Sequence, residues 1–371
     1  MNILFDHHVF SEQRYGGISR YFYEIGNRIA DLPGNRVEIF APIYVNEYFN
    51  QRCKVRPWGI KTKPLPRLRR IVDLINRDLP RLLVKPRRDV DIFHETSYSM
   101  MDYCPASAKR VVTVYDMIHE KFPQYFHNAD EARKIKEYVV QRADHIICIS
   151  ESTKRDLIDL FAVPEEKISV VYLGGTLASD SIKEAVCLSG IQKPYLLYVG
   201  ARQGYKNFEA LLHVYADSPL LRHEFNLVCF GGGSLSVAEL ELIKILGISS
   251  ECITQLSDTD EMLAGLYASA AALIYPSLYE GFGIPPLEAM LLGCPVICAN
   301  TSSIPEVVGD AAELFNPYDE TEMRAAIERV VSSPQYAATL IEKGRQRVNF
   351  FSWKKCATET LNVYHNILGA E

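Results

Sequence analysis

The stretch YPSLYEGFGIPPLEAMLLGCPVICAN, residues 275–300, decides the fold. It begins at the end of a short apolar run, AALIYPS, and closes on a second, CPVICAN, with a Gly-Phe-Gly turn and an apolar helical segment between them. Pro285 and Pro286 fix φ near the helical value and are tolerated where a helix starts, so a helix is expected there, with Glu288 in its first turn. A second carboxylate, Glu280, stands against the glycine turn. Strand, glycine turn, helix, strand is the repeating unit of a parallel sheet.

The same alternation runs outward from this stretch. Short β-type runs lie at 2–5, 36–42, 90–94, 110–116, 145–150 and 168–174, separated by segments of helical period. After a polar stretch from Gly175 to Lys193 the pattern restarts with PYLLYVG, FNLVCFG and CITQLS. Buried strands alternating with helices mean parallel sheets covered on both faces. The expected class is α/β: two doubly wound, Rossmann-like domains, 1–175 and 190–345, with SDSIKEA as the linker. Ligands of such sheets sit beyond the carboxyl ends of the strands, and two facing domains place the site in the cleft between them.

A chain of 371 residues suits two domains, and 48% hydrophobic with 23% charged residues is a soluble, globular composition. No signal-peptide pattern opens the chain and no apolar run reaches the ~18 residues of a membrane span, so a cytoplasmic location is expected. Nine scattered cysteines, several inside apolar runs, read as reduced core residues. The net charge of −6 hides an asymmetry: residues 52–88 hold thirteen Lys or Arg against two acids, a local +11. Within them Leu68, Ile71, Val72, Ile75, Leu79, Leu82 and Leu83 form a helical stripe that Pro80 should kink or end. The stripe is expected to pack on its own domain; the alternative is a face for anionic lipid or a polyanionic acceptor. Aromatics interleaved for base stacking are missing, which counts against nucleic acid.

Several loops carry candidate chemistry. After the first strand, Gly16-Gly17 precedes a helix with Ile18, Tyr21, Phe22, Ile25 and Ile29 in register, so backbone can approach an anion at its start. The six-residue dinucleotide fingerprint is absent, which argues against a nicotinamide enzyme. In VGARQGYKN, Arg202 and Lys206 lie four apart on the loop leaving a strand, a fork and a point charge suited to one diphosphate. Gly231 to Gly233, in CFGGGSLS, fall at the same sheet edge.

Together YGGISRY at 15–21, VGARQGYKN at 199–207, LYASAAALIYPSLYEGFGIPPLEAM at 266–290 and SSIPEVVGDAAELFNP at 302–317 resemble the retaining nucleotide-sugar glycosyltransferases of family 4, over most of the chain. The resemblance implies the GT-B fold and a last helix, within 350–371, that crosses back to an acceptor-side N-terminal domain. It implies that Arg202 and Lys206 hold the donor diphosphate, with Gly16 and Gly17 beside the donor. Glu280 and the backbone of Gly281, Phe282 and Gly283 would face the donor sugar, Glu288 the ribose, and Leu256 and Ser257 the base. Many relatives carry His-Asp where this chain has Tyr115-Asp116, so Asp116 is a catalytic candidate, while Tyr115, His119 and His94 are acceptor-side candidates.

The implied reaction moves a hexosyl unit to a hydroxyl with retention, with no metal and no cofactor beyond the donor. The N-terminal segment resembles bacterial O-antigen and polysaccharide mannosyltransferases, favouring GDP-mannose; a UDP- or dTDP-sugar would use the same phosphate residues. The acceptor is then a glycan or lipid-linked glycan, and the 52–88 segment would bring the protein to the inner face of the plasma membrane. A nucleotide-sugar 2-epimerase and a non-catalytic scaffold are the competing readings.

Overall fold

The computed structural model describes residues 1–49, 53–64, 66–175 and 194–369; the linker SDSIKEA, Arg52 and Cys187 lie outside them. The chain forms two compact units, Met1–Gly174 with Trp353–Glu371, and Gly175–Ser352.

The first unit is built on strands β1 (Asn2–Phe5), β2 (Arg36–Tyr44), β3 (Pro57–Lys61), β4 (Ile92–Glu95), β5 (Lys109–Val114), β6 (His145–Cys148) and β7 (Ile168–Val170). They form one parallel sheet in the order β3-β2-β1-β4-β5-β6-β7. Consecutive residues of a strand face opposite sides, yet Ile3, Leu4 and Phe5 are all buried, which requires cover on both faces. The helix Gly17–Asp31 buries Tyr21, Phe22, Ile25 and Ile29 at helical spacing. The C-terminal helix Trp353–Leu368 belongs to this unit and brings Trp353 to 6.4 Å from the Tyr21 ring.

The second unit carries β8 (Tyr195–Val199), β9 (Asn226–Phe230), β10 (Ile253–Leu256), β11 (Ala272–Tyr275), β12 (Val296–Ala299) and β13 (Glu313–Phe315). Their order is β10-β9-β8-β11-β12-β13, again parallel. In each sheet the winding reverses once, between β1 and β4 and between β8 and β11, and the loops that leave those neighbours diverge to leave a crevice. Edge strands β3 and β13 go beyond the strands expected from sequence. β3 exposes all but its first residue, so the apolar signature of a buried strand is missing from it.

The basic segment is the main departure from expectation. Its helix, Arg69–Leu83, runs on through Pro80 instead of ending there. The apolar stripe packs inward only in part: Val72, Ile75 and Leu79 are half-buried, whereas Leu68, Ile71, Leu82 and Leu83 are exposed, together with Leu74. A polar residue fixes the inner side. β2 loses register against β3 between Phe40 and Ile43, and the buried Asn76 side chain bonds Ile43 at both ends. Its Oδ1 accepts from the Ile43 N–H at 2.9 Å, and its Nδ2 donates to the Ile43 carbonyl at 2.9 Å and to Ser11 Oγ at 3.1 Å. An amide completing an irregular strand outweighs leucines on the far side, because buried backbone groups without partners are costly. None of the described helices is long and apolar enough to cross a membrane.

Replacing Asn76 by Ala removes the acceptor of the Ile43 N–H and leaves the Ile43 carbonyl with Ser11 Oγ, and should lower stability by about 1–3 kcal/mol, read as a fall in urea midpoint at unchanged m-value. An unchanged midpoint would show that this amide does not hold the helix.

Candidate active site

The loop after β8 is shaped from within. Tyr198, at the penultimate position of the strand, donates its hydroxyl to the Ala201 carbonyl at 2.5 Å and to that of Lys206 at 3.4 Å. Burial pushes its phenol well above the usual range, so it stays a donor. Asn207 takes a left-handed conformation and donates to the Pro317 carbonyl at 2.9 Å, which turns the chain into the helix Phe208–Asp217. Lys206 is thereby held over the carboxyl end of the sheet. Its Nζ lies 2.7 Å from Glu280 Oε1, with side chains only 17% and 13% exposed.

Glu280 belongs to the loop after β11, the neighbour of β8 across the reversal. Two serines pin its turn. The Glu280 N–H donates to Ser302 Oγ at 2.8 Å, and Ser303 Oγ reaches the carbonyls of Glu280 and Phe282, each at 2.8 Å. Ser302 itself is in the left-handed region, a strained conformation that surroundings must impose. Phe282 is buried against Phe351, and Gly283 adopts φ 115° as the N-cap of the helix Ile284–Leu291. Because that helix begins at Ile284, Glu288 falls one residue past its first turn, a correction to the sequence reading. The Glu288 side chain is buried and its Oε2 accepts from Tyr267 Oη at 3.4 Å. Pro285 and Pro286 have no N–H, so anion-facing donors at this helix start must come from the turn before them.

Arg202 departs from the expected surface clamp. It is buried, with Nε 2.8 Å from Glu239 Oε1, Nη1 donating to Gly231 O at 2.8 Å, and Nη2 donating to Gly233 O and Ser234 O, each at 2.9 Å. A glycine loop with three successive left-handed residues, Gly231, Gly232 and Gly233, turns its carbonyls toward the guanidinium. Against the upward push of partial burial, the Ser236 N–H and the Arg202 guanidinium bring the Glu239 carboxyl below its ordinary range. Leu256 and Ser257 adjoin this loop: the Gly231 N–H donates to Leu256 O at 2.9 Å, and Gln255 Nε2 reaches Ser257 Oγ at 3.0 Å.

The remaining candidates lie in the first unit. His94 does not face an acceptor: it is fully buried, with Nδ1 2.6 Å from Tyr364 Oη and Nε2 2.9 Å from Thr113 Oγ1. Burial lowers its pKa to about 3, so it is a neutral core group joining the C-terminal helix to the sheet. The Tyr115 ring sits edge-on to Tyr21, with its hydroxyl buried and without a hydrogen-bond partner among the described residues. Asp116 Oδ1 accepts from the Ile118 N–H at 3.1 Å and lies 3.9 Å from the buried Lys136 Nζ, which also reaches Glu120 at 2.8 Å. His119 packs against Phe126 at 4.3 Å. Gly16 is extended and stands where a Cβ would collide with Gln13, whose Oε1 accepts from the Ser19 N–H at 3.2 Å near the start of the helix that begins at Gly17.

Two family models divide the chain between them. Residues 15–176 match Glycosyltransferase Family 4, and residues 188–347 match Glycosyl transferases group 1. The O-antigen chain mannosyltransferase B of Escherichia coli is 32% identical over 287 residues, 74% of each chain. The chain belongs to glycosyltransferase family 4. The O-antigen chain mannosyltransferase RfbU of Salmonella typhimurium is 30% identical over 62% of this chain and 63% of its own. Among solved structures, sucrose-phosphate synthase from Thermosynechococcus elongatus superposes with a TM-score of 0.76 at 19% identity over the whole of both chains. The fold is GT-B and the protein is a glycosyltransferase, a family that implies a nucleotide-sugar donor.

For this glycosyltransferase the supporting shell was the least visible part of the site in the sequence. Tyr198, Tyr267 and Glu239 are not singled out by the sequence pattern. The signal for Ser302 and Ser303 was their place directly before Ile304-Pro305, at a helix start. At Gly283 a Cβ would stand 2.8 Å from Ile304 Cδ1 in a conformation L-residues rarely adopt. Gly283→Ala should therefore cost about 1–3 kcal/mol, measured as a lower thermal midpoint, whereas an unchanged midpoint would show that the turn relaxes freely.

Proposed function

We propose that the enzyme transfers a hexosyl unit, mannosyl from GDP-mannose in our reading, to a hydroxyl of a glycan or lipid-linked glycan in bacterial surface polysaccharide synthesis, with retention. The observation that carries this is the Lys206–Glu280 pair at the reversal of the second sheet, in a chain whose relatives include O-antigen mannosyltransferases. A diphosphate entering there competes with Glu280 for Lys206. Once Lys206 turns to phosphate, the Glu280 carboxylate is released to accept sugar hydroxyls. Arg202 contributes the one Nη1 hydrogen its bonds leave over, and it holds the glycine loop in place. Glu288 takes the ribose hydroxyls, with Leu256 and Ser257 beside the base.

As the bond to diphosphate breaks, charge grows on the leaving oxygen, and Lys206 with the donors of the Glu280–Gly283 turn stabilises it in a partly buried site. This assignment gives the neutralising role to side chain and backbone, without a metal. A UDP- or dTDP-sugar would engage the same groups, so the phosphate site does not select the base.

Lys206→Ala should lower kcat/KM by about 10²–10³, the usual cost of removing one such group, and Glu280→Gln should depress transfer while nucleotide binding persists. Intact transfer by Glu280→Gln would favour a scaffold instead. In a thermal-shift panel of GDP, UDP and dTDP with their sugars, the true donor at a hundred times its dissociation constant should add about 2.7 kcal/mol. No stabilisation by any of them would sink the reading.

The enzyme is proposed to work at the inner face of the plasma membrane. Trp58, Ile60, Ile71, Leu74 and Leu82 are exposed within the +11 segment, an apolar and basic combination suited to an anionic bilayer. Vesicles containing anionic lipid should retain the protein and neutral ones should not; equal retention would remove the proposal.

A further inference from the structure

Glu280 and Glu288 each meet a buried tyrosine, and the two pairs are nested in the chain: the inner tyrosine takes the inner glutamate and the outer tyrosine the outer one. Tyr275 is the last residue of β11, and its hydroxyl donates to the Glu280 carboxylate. Tyr267 lies on the helix Asp260–Ser269, which leads into β11 and packs beside the helix Ile284–Leu291, and its hydroxyl reaches Glu288 Oε2 at 3.4 Å. Both tyrosines are buried, Tyr267 completely.

The phenols are partners of a different kind from Lys206. Glu280 is shared between two donors: Lys206, whose Nζ lies 2.7 Å from Oε1, and Tyr275, whose ring centroid lies 5.9 Å from that same ammonium. Lys206 is a cation on a flexible stem, and a diphosphate draws it away. A buried phenol does not follow. Burial, with the adjacent carboxylate adding to it, raises both phenols well above their ordinary range, so each stays neutral and keeps a proton to donate. A partly desolvated carboxylate that lost its donor would bear an uncompensated cost or swing toward another donor. Tyr275 removes that choice from Glu280 when Lys206 turns to phosphate.

We propose that Tyr275 and Tyr267 are positioning residues of the transfer reaction, Tyr275 aiming the Glu280 carboxylate at the donor sugar and Tyr267 aiming the Glu288 carboxylate at the ribose; this rests on the donor-binding reading above. Neither phenol touches the donor. Each acts through one glutamate, and the two glutamates differ in what they meet. The ribose is present with or without the sugar, whereas Glu280 gains its hydroxyl partners only when the sugar is attached. Packing alone would be met by phenylalanine, which fills the same space without the hydroxyl.

The test uses the full chain and calorimetric dissociation constants for GDP and GDP-mannose, with UDP and UDP-glucose, and dTDP and dTDP-glucose, alongside; the pair that wild type binds most tightly is carried into the variants. Tyr275→Phe should leave the nucleoside diphosphate within about twofold and weaken the sugar nucleotide about tenfold, the usual value of one hydrogen bond to a charged group. Tyr267→Phe should weaken both ligands together by about the same factor. On a Glu280→Gln background Tyr275→Phe should add no more than about twofold, and Tyr267→Phe no more on Glu288→Gln, because a residue that acts through another has nothing left to position. The double variants carry no charge stripped of its donor, so they also serve if a single variant unfolds. A purely structural role would lower the thermal midpoint without separating the two ligands. Equal weakening of both ligands by Tyr275→Phe, unchanged constants in both single variants, or additive losses in the double variants would overturn the proposal and leave the donor reading standing. A wild type that binds none of these nucleotides would sink the donor reading and this proposal with it.

Discussion

Lys206 and Glu280 lie far apart in sequence and meet because β8 and β11 are parallel neighbours that end side by side. Everything in the second unit that bears on chemistry follows from that adjacency. Since the helix after β8 leaves toward one face and the chain reaching β11 arrives from the other, the two loops cannot fill the space between them. A charged pair placed there is partly desolvated without being sealed. A fully buried pair would be too costly to separate, and an exposed one too weak to matter. At 17% and 13% exposure the pair sits between these limits.

Such a pair is useful only if its backbone does not move, and the enzyme spends buried hydroxyls and amides on that. Tyr198 holds the loop carrying Lys206, and Ser302 and Ser303 hold the turn carrying Glu280. Arg202 holds the glycine loop at the edge of β9. The first unit uses the same economy on a larger scale: Asn76 completes an irregular strand, and His94 ties the returning C-terminal helix to the sheet through Tyr364. Each is a polar group fully committed to protein partners. Apolar packing there would leave the same backbone or ring atoms unsatisfied.

This division explains what could be read from sequence. Runs such as NILF, HIICIS and AALIYPS announce strands because parallel strands buried on both faces are apolar throughout, and Pro285-Pro286 marks a helix start by fixed φ. Family motifs put Glu280 and Lys206 on loops at the ends of strands and Glu288 on the helix that follows the glycine turn. Direction was not legible. Arg202 at the end of a strand looks like a surface cation, and only the carbonyls of Gly231 to Ser234, some thirty residues on, turn it inward. His94 failed likewise, since its partner Tyr364 is 270 positions away. The leucine stripe of Arg69–Leu83 misled by the opposite route: periodicity reports that a helix has an apolar face, not which side the sheet requires. The sheet required an amide.

The two units repeat one winding plan with different side chains at the point of reversal. In the second, a cation and a carboxylate wait in partial contact, which suits a ligand that brings its own negative charge. In the first, burial moves the Asp6 carboxyl up to about 6 and the His8 imidazole down to about 4, so at neutral pH the imidazole is uncharged while Asp6 remains a carboxylate. Asp6 serves the backbone, its Oδ1 accepting from the N–H groups of His8 and Thr96 at 3.2 and 3.1 Å. An imidazole kept neutral by burial in one unit and a lysine paired with a carboxylate in the other show how one winding plan takes its chemistry from the residues placed at its reversal, because the fold alone does not fix function.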